Sequence, residues 1–154
     1  MISDENIETL NQIPVFGGLQ AETIVLILEH SNLTKKQSGE YFFHENDHAD
    51  SMYVLRSEKI EVTRCRNNKT YHMTQMIRSD CFGEMAMIDH RTRSANIRAI
   101  TLCEAIEISS SAMTALWHND IKAFAMLQMN IAREVSRRLR EANDQFLADR
   151  VMKS

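Results

Sequence analysis

The chain has 154 residues, a formal net charge of −3, and a composition that is 44% hydrophobic and 25% charged. That length suits one domain with a core and an appended helix, and the scarcity of Gly and Pro leaves little room for disordered linkers. The acidic balance disfavours a general attraction to nucleic acid, no apolar run reaches membrane-span length, and Met1-Ile2-Ser3-Asp4-Glu5-Asn6 lacks the form of a signal peptide, so a cytoplasmic protein without membrane insertion is expected.

Residues 4–12 predict a short helix with acids in its first turn. Pro14 ends it, and Val15-Phe16 supplies a hydrophobic anchor ahead of Gly17-Gly18. A second helix is predicted over residues 21–30, with Ile24, Leu26, Ile27 and Leu28 on its buried side. From about Leu33 to Ile108 the helical period is lost. Tyr41-Phe42-Phe43, Met52-Tyr53-Val54-Leu55, Ile60-Glu61-Val62-Thr63, and residues 71–76, 97–100 and 105–108 read as short strands between Asn, Asp, Gly and Ser clusters. Such a run predicts a small antiparallel barrel or jelly roll, interrupted by a short helix at residues 84–88.

After Ile108 the pattern turns helical again. Ser109 or Ser110 is positioned to cap a helix through Trp117, and Asn119 or Asp120 to cap a longer one. Phe124, Ile131, Val135, Leu139, Ala142 and Phe146 form an apolar stripe at spacings of three, four or seven. The stripe either covers the barrel or pairs with a second copy as a coiled coil, and both can hold. Arg133, Arg137, Arg138 and Arg140 alternate with Glu134, Glu141 and Asp144, which reads as a solvated charged face. The expected fold is α+β: an antiparallel β-roll or jelly-roll barrel with short N-terminal helices, a cassette helix and a long C-terminal helix. One domain is expected over residues 1–154, divided at 1–32, 33–108 (with the cassette at 82–95) and 109–154.

Cys65, Cys81 and Cys103 are an odd count without close spacing, so reduced thiols are expected and neither a disulfide framework nor a metal site. His44 and His48 flank turn residues and read as solvated loop histidines.

One segment carries chemistry. Phe82-Gly83-Glu84-Met85-Ala86-Met87 is followed, nine residues after Glu84, by Arg93-Ser94-Ala95. Gly83 permits a tight turn and close approach of a ligand. Glu84 can accept from sugar hydroxyls, Arg93 offers a charged fork to phosphate oxygens, and the first amides of the short helix face an anion. A lone Glu and Arg at this spacing more often form a surface ion pair. The neighbouring pattern, however, resembles the phosphate-binding cassette of cyclic nucleotide-binding domains, F-G-E-x-A-L and then R-[ST/A]-A. The resemblance to this family, the β-roll type of catabolite activator proteins and protein kinase A regulatory subunits, extends to Ile13-Pro14-Val15-Phe16, Gly39-Glu40, Glu45-Asn46-Asp47 and Asp50-Ser51-Met52-Tyr53-Val54-Leu55. Four positions depart from it: family glycines fall on Glu58 and Ser79, a frequent proline falls on Thr92, and a family hydroxyl on the long helix falls on Ala142.

The resemblance implies that Arg93 neutralises a cyclic phosphate, Ser94 donates to it, Glu84 accepts the ribose hydroxyl, and Phe82, Gly83, Met85, Ala86 and Ala95 complete the cradle. Met85, Met87, Ile88 and Phe82 are also expected to make core contacts, and Val54, Leu55 and Val62 to form barrel wall facing sugar or base. By alignment Ala142 and Asn143 approach the base, Asn143 with donor and acceptor. Ser94 leans towards cAMP, with cGMP the other candidate. The expected function is a stand-alone regulatory domain, not an enzyme and without cofactor, that signals through its C-terminal helix to an unidentified protein partner or to a homodimer formed through residues 120–150. With the chain stopping at Ser154, direct DNA binding is not expected. The alternative is a degenerate domain kept as an interaction or dimerisation scaffold without ligand.

Overall fold

The computed structural model describes residues 4–57 and 59–154, and only the backbone of residues 4–6. The signal-peptide expectation, in so far as it concerns residues 1–3, and the family glycine position that falls on Glu58 lie outside the described residues.

Helix α1 (Asp4–Asn11) runs into a 3-10 turn over Pro14–Phe16, and α2 (Ala21–Glu29) follows. Eight strands come next: β1 (Ser31–Lys36), β2 (Tyr41–Phe43), β3 (Ser51–Leu55), β4 (Lys59–Arg66), β5 (Lys69–Ile77), β6 (Cys81–Phe82), β7 (Asn96–Ala99) and β8 (Cys103–Ser109). Helix α3 (Glu84–Asp89) lies between β6 and β7, and α4 (Ser110–Asn119) and α5 (Ile121–Met152) close the chain. The strands form two antiparallel four-stranded sheets, ordered β1-β8-β3-β6 and β2-β7-β4-β5. This is the α+β roll expected, with two additions, β1 and β6.

The β4–β5 hairpin turns through Asn67 and Asn68, both left-handed at φ 53° and 62°, as a two-residue turn matched to strand twist requires. Ser79 takes φ 77° in the turn before β6, so the serine occupies a left-handed position where the family pattern carries glycine.

All five residues of β3 are buried, because β3 is central in its sheet and covered on both faces. Alternation then sorts its side chains into two cores. Met52 and Val54 face the helices, joining Leu10, Phe16, Ile24, Ile108, Leu116, Leu127 and Ile131. Tyr53 and Leu55 face the roll interior with Phe42, Ile60, Phe82, Ile97 and Ala105. Ser109 stands at the N-cap of α4 without a capping hydrogen bond; its hydroxyl donates to the His30 carbonyl at 3.0 Å. Asp120 caps α5 by accepting from the Ala123 amide at 3.1 Å. The amide of the buried Asn130 side chain donates to the Val15 and Gly17 carbonyls at 3.0 and 2.9 Å, pinning α5 to the 3-10 turn. Beyond Ile131 no residue of α5 is fully buried.

Candidate ligand site

The site grows out of one glycine. Gly83 adopts φ 75° at the N-cap of α3, the left-handed conformation that costs glycine nothing. A Cβ there would stand 2.6 Å from Arg93 Nη1, so the missing side chain is also what lets the guanidinium reach the cassette backbone.

Arg93 is 5% exposed. Its Nη1 donates to the Ser51 carbonyl at 2.8 Å and the Gly83 carbonyl at 3.3 Å, and Nη2 donates to Ser51 Oγ at 3.2 Å. The Phe43 ring lies 4.1 Å from the guanidinium carbon, a cation–π contact. Among the described residues no carboxylate lies within ion-pair distance, and Nε has no hydrogen-bond partner. Burial depresses the Arg93 pKa, and nearby Tyr53, Asp50 and Glu107 oppose it. A buried cation without a counter-ion is costly, so the site calls for an anion.

Glu84, 4% exposed, is held differently. Its Oε1 accepts from Arg138 Nη1 at 2.6 Å, and Oε2 accepts from none of the described residues. Arg138 Nη2 donates to the Cys81 carbonyl. Burial works against the Arg138 cation, but Glu84, with Cys81 and Asp80 adding to it, outweighs that cost, so the Arg138 pKa stands above the ordinary value. Arg138 therefore departs from the solvated face expected of the α5 arginines. Arg137 behaves as expected, pairing with Glu134 and Glu141 at 2.9 and 2.8 Å near solvent.

A cavity of about 320 Å³ opens over these groups, within the usual range of small-molecule sites. Residues 82–86 and 93–95, hence every expected cassette residue, line it, together with Val62, Thr92 and Arg138. Asn143 does not line it; with Ala142 it lies exposed on α5. Val54 and Leu55 belong to the two cores instead. Met85 and Ile88, expected as core contacts, are each 48% exposed. The cassette helix has a single turn and a half, and only Glu84 and Ala86 of its residues are buried. A sequence signal for Arg138 exists: it continues the series Leu127, Ile131 and Val135, of which the first two are buried and the third half-buried, at helical spacing.

The cyclic nucleotide-binding domain model matches residues 33–120, more than half the chain. The chain belongs to the cyclic nucleotide-binding domain family. As such a domain it is 26% identical over 135 residues to the cyclic AMP receptor protein of Thermus thermophilus, covering 84% of this chain and 59% of that protein. It is 25% identical over 120 residues to the type II regulatory subunit of cAMP-dependent protein kinase from Drosophila melanogaster, covering 78% of this chain and 29% of the subunit. The domain thus spans less than two thirds of either relative. The crystal structure of the Thermus catabolite activator protein superposes with a TM-score of 0.73 at 26% identity, over 86% of this chain and 61% of that one. A cyclic nucleotide-binding domain from Methylobacillus flagellatus superposes at 0.82 and 22% identity, over 93% and 81%, which establishes the shared fold. Among the described residues no group of three His, Cys, Asp or Glu is placed to hold a metal ion, and no helix is long and apolar enough to cross a membrane.

Proposed function

We propose that this domain is a cytoplasmic, non-enzymatic sensor of cyclic nucleotide, with cAMP as its ligand, and that its signal leaves through α5. The observation that carries the reading is Arg93, a buried guanidinium with no counter-ion among the described residues, lining the cavity with Glu84. The cyclic phosphate would meet Arg93 and Ser94, and the ribose hydroxyl would meet Glu84 Oε2. Because Oε1 is already bonded to Arg138, one carboxylate would then join ligand and α5. The Thermus and Drosophila relatives are named for cyclic AMP, and Ser94 in place of Thr supports the same choice over cGMP. Asn143 would reach the base only if the distal part of α5 moved towards the cavity.

The exposed stripe of α5 supports a homodimer or a helical protein partner as the output. Calorimetric titration of nucleotide-free protein with cAMP, and with cGMP alongside, tests the ligand. Saturable binding of one nucleotide per chain is expected, tighter for cAMP. Arg93→Ala is expected to lose about 2–5 kcal/mol of it, the cost of truncating one partner of a buried charge pair. Absence of heat with either nucleotide, in protein shown to be folded and empty, would reverse the reading in favour of a ligand-free scaffold.

A further inference from the structure

Alternation along β8 assigns Glu107 to the roll interior. Ile106 and Ile108 face the helices, while Ala105 and Cys103 lie in the inter-sheet core. Its carboxylate is half-buried there, and its surroundings are specific. Tyr53 stands directly opposite Glu107 in the β3–β8 ladder, and Ser51 pairs with Ser109, two residues along on the same face. Ser51 Oγ donates to Glu107 Oε1 at 2.9 Å, Tyr53 Oη donates to the same oxygen at 3.1 Å, and Thr34 Oγ1 donates to Oε2 at 3.2 Å.

A hydroxyl has one hydrogen and two lone pairs, and a carboxylate only accepts. With its hydrogen committed to Glu107, Ser51 Oγ presents a lone pair to Arg93 Nη2, which lies 3.2 Å away. We propose that Ser51, oriented by Glu107, is a positioning residue that aims the Arg93 guanidinium into the cavity without neutralising it. A carboxylate in direct contact with Arg93 would form a closed ion pair that any anionic ligand must break. One hydroxyl of spacing keeps the acid close enough to polarise Ser51 as an acceptor, yet leaves the fork of Arg93 open to phosphate. Tyr53 completes the arrangement by capping Glu107 from the ladder while its ring stacks on Phe82 at 5.0 Å between centroids.

The inference rests on Arg93 as the phosphate-binding group, and the experiment separates the two. Binding of cAMP, and of its two phosphorothioate diastereomers with sulfur at one or the other exocyclic position, is measured for the parent, Ser51→Ala, Ser51→Thr, Glu107→Gln and the Ser51→Ala/Glu107→Gln double variant. Ser51→Ala is expected to weaken cAMP about tenfold, the worth of one hydrogen bond to a charged group, and to shrink the affinity ratio between diastereomers, because an unaimed guanidinium no longer distinguishes the two oxygens. Ser51→Thr keeps the hydroxyl and is expected to retain both properties. Glu107→Gln is expected to weaken binding when Ser51 is present and to add nothing when it is absent. Parental affinity and ratio in Ser51→Ala, or an undiminished effect of Glu107→Gln in the double variant, would overturn the relay. A parent that binds no cyclic nucleotide would sink the functional reading alone. The relay is then decided in the empty protein by nitrogen relaxation of Arg93 Nε–H: ordered in the parent and mobile in Ser51→Ala supports it, and equal order in both overturns it.

Discussion

At the scale of single residues the site depends on conformations and charges that few side chains can supply. Alanine at Gly83 would have to hold a left-handed φ, at roughly 1–2 kcal/mol, and would place its Cβ against Arg93. Gly83→Ala is therefore expected to lower the urea midpoint and to weaken nucleotide binding together, since the guanidinium has to withdraw. Nucleotide affinity equal to the parent's would show that Arg93 does not need that approach. Two neutral buried acids set the alkaline limit. Burial, with Glu107 nearby, pushes the Tyr53 phenol up to about 12, and burial, with Glu84 adding to it, pushes the Cys81 thiol up to about 12. The unfolded chain releases these protons first, near pH 9–10. It then holds fewer protons than the folded form, so stability is intact below about pH 9 and falls as the pH rises towards 12. Tyr53→Phe is expected to flatten the part of this decline between about pH 10 and 12 in denaturant titrations. Superimposable slopes for parent and variant would remove Tyr53 from the account.

At the scale of elements, the strands that were missed lacked either an apolar face or enough residues to show one. β2, β3, β4, β7 and β8 each carry buried hydrophobic residues and were legible as short apolar runs bounded by turn residues. β5 was legible from its β-branched and aromatic residues although all but Met76 are exposed. β1, Ser31-Asn32-Leu33-Thr34-Lys35-Lys36, is an edge strand with no buried residue and owes its place to the β8 ladder across a long stretch of chain. β6 has two residues, too few for any period. The cassette was legible because its residues are contiguous. Ser51, Glu107 and Arg138 were not read as part of the site, since only the fold brings β3, β8 and α5 to it. The α5 stripe shows the same division. Its first half is core, but Leu139 and Phe146 are 60% and 61% exposed, and Leu147 and Val151 lie beside them uncovered. An apolar seam continued past its own domain is what a paired helix provides. Sedimentation of the parent is expected to report a dimer, and Leu139→Glu/Phe146→Glu a folded monomer. Identical sedimentation of the two would dismiss a dimer made by this helix.

Across the whole molecule, α5 touches the helical core, the cavity wall and solvent in turn. Asn130 fixes it to the N-terminal turn, Arg138 fixes it to the cassette, and beyond that it runs free of the domain. A ligand can shift such a helix only through contacts that differ between its positions, and Arg138 is the contact that reaches a site residue, Glu84, with Arg137 and Asp80 a looser pair beside it at 4.0 Å. Arg138→Met isolates it. Arg93 and Ser94 remain, so cAMP is still expected to bind. Glu84 loses its charged partner, and a stability loss of about 1–3 kcal/mol in urea is expected, below the full cost of breaking a buried pair because Arg138 keeps some solvent contact. The decisive comparison is hydrogen exchange with and without cAMP. In the parent, saturation is expected to change protection both in the cassette and along α5 from Arg138 onward. In Arg138→Met the change is expected in the cassette alone, because binding and helix position are coupled reciprocally and the group that couples them is gone. An α5 response of undiminished size in the variant would place the coupling elsewhere, in the packing of α3 against the body of the domain.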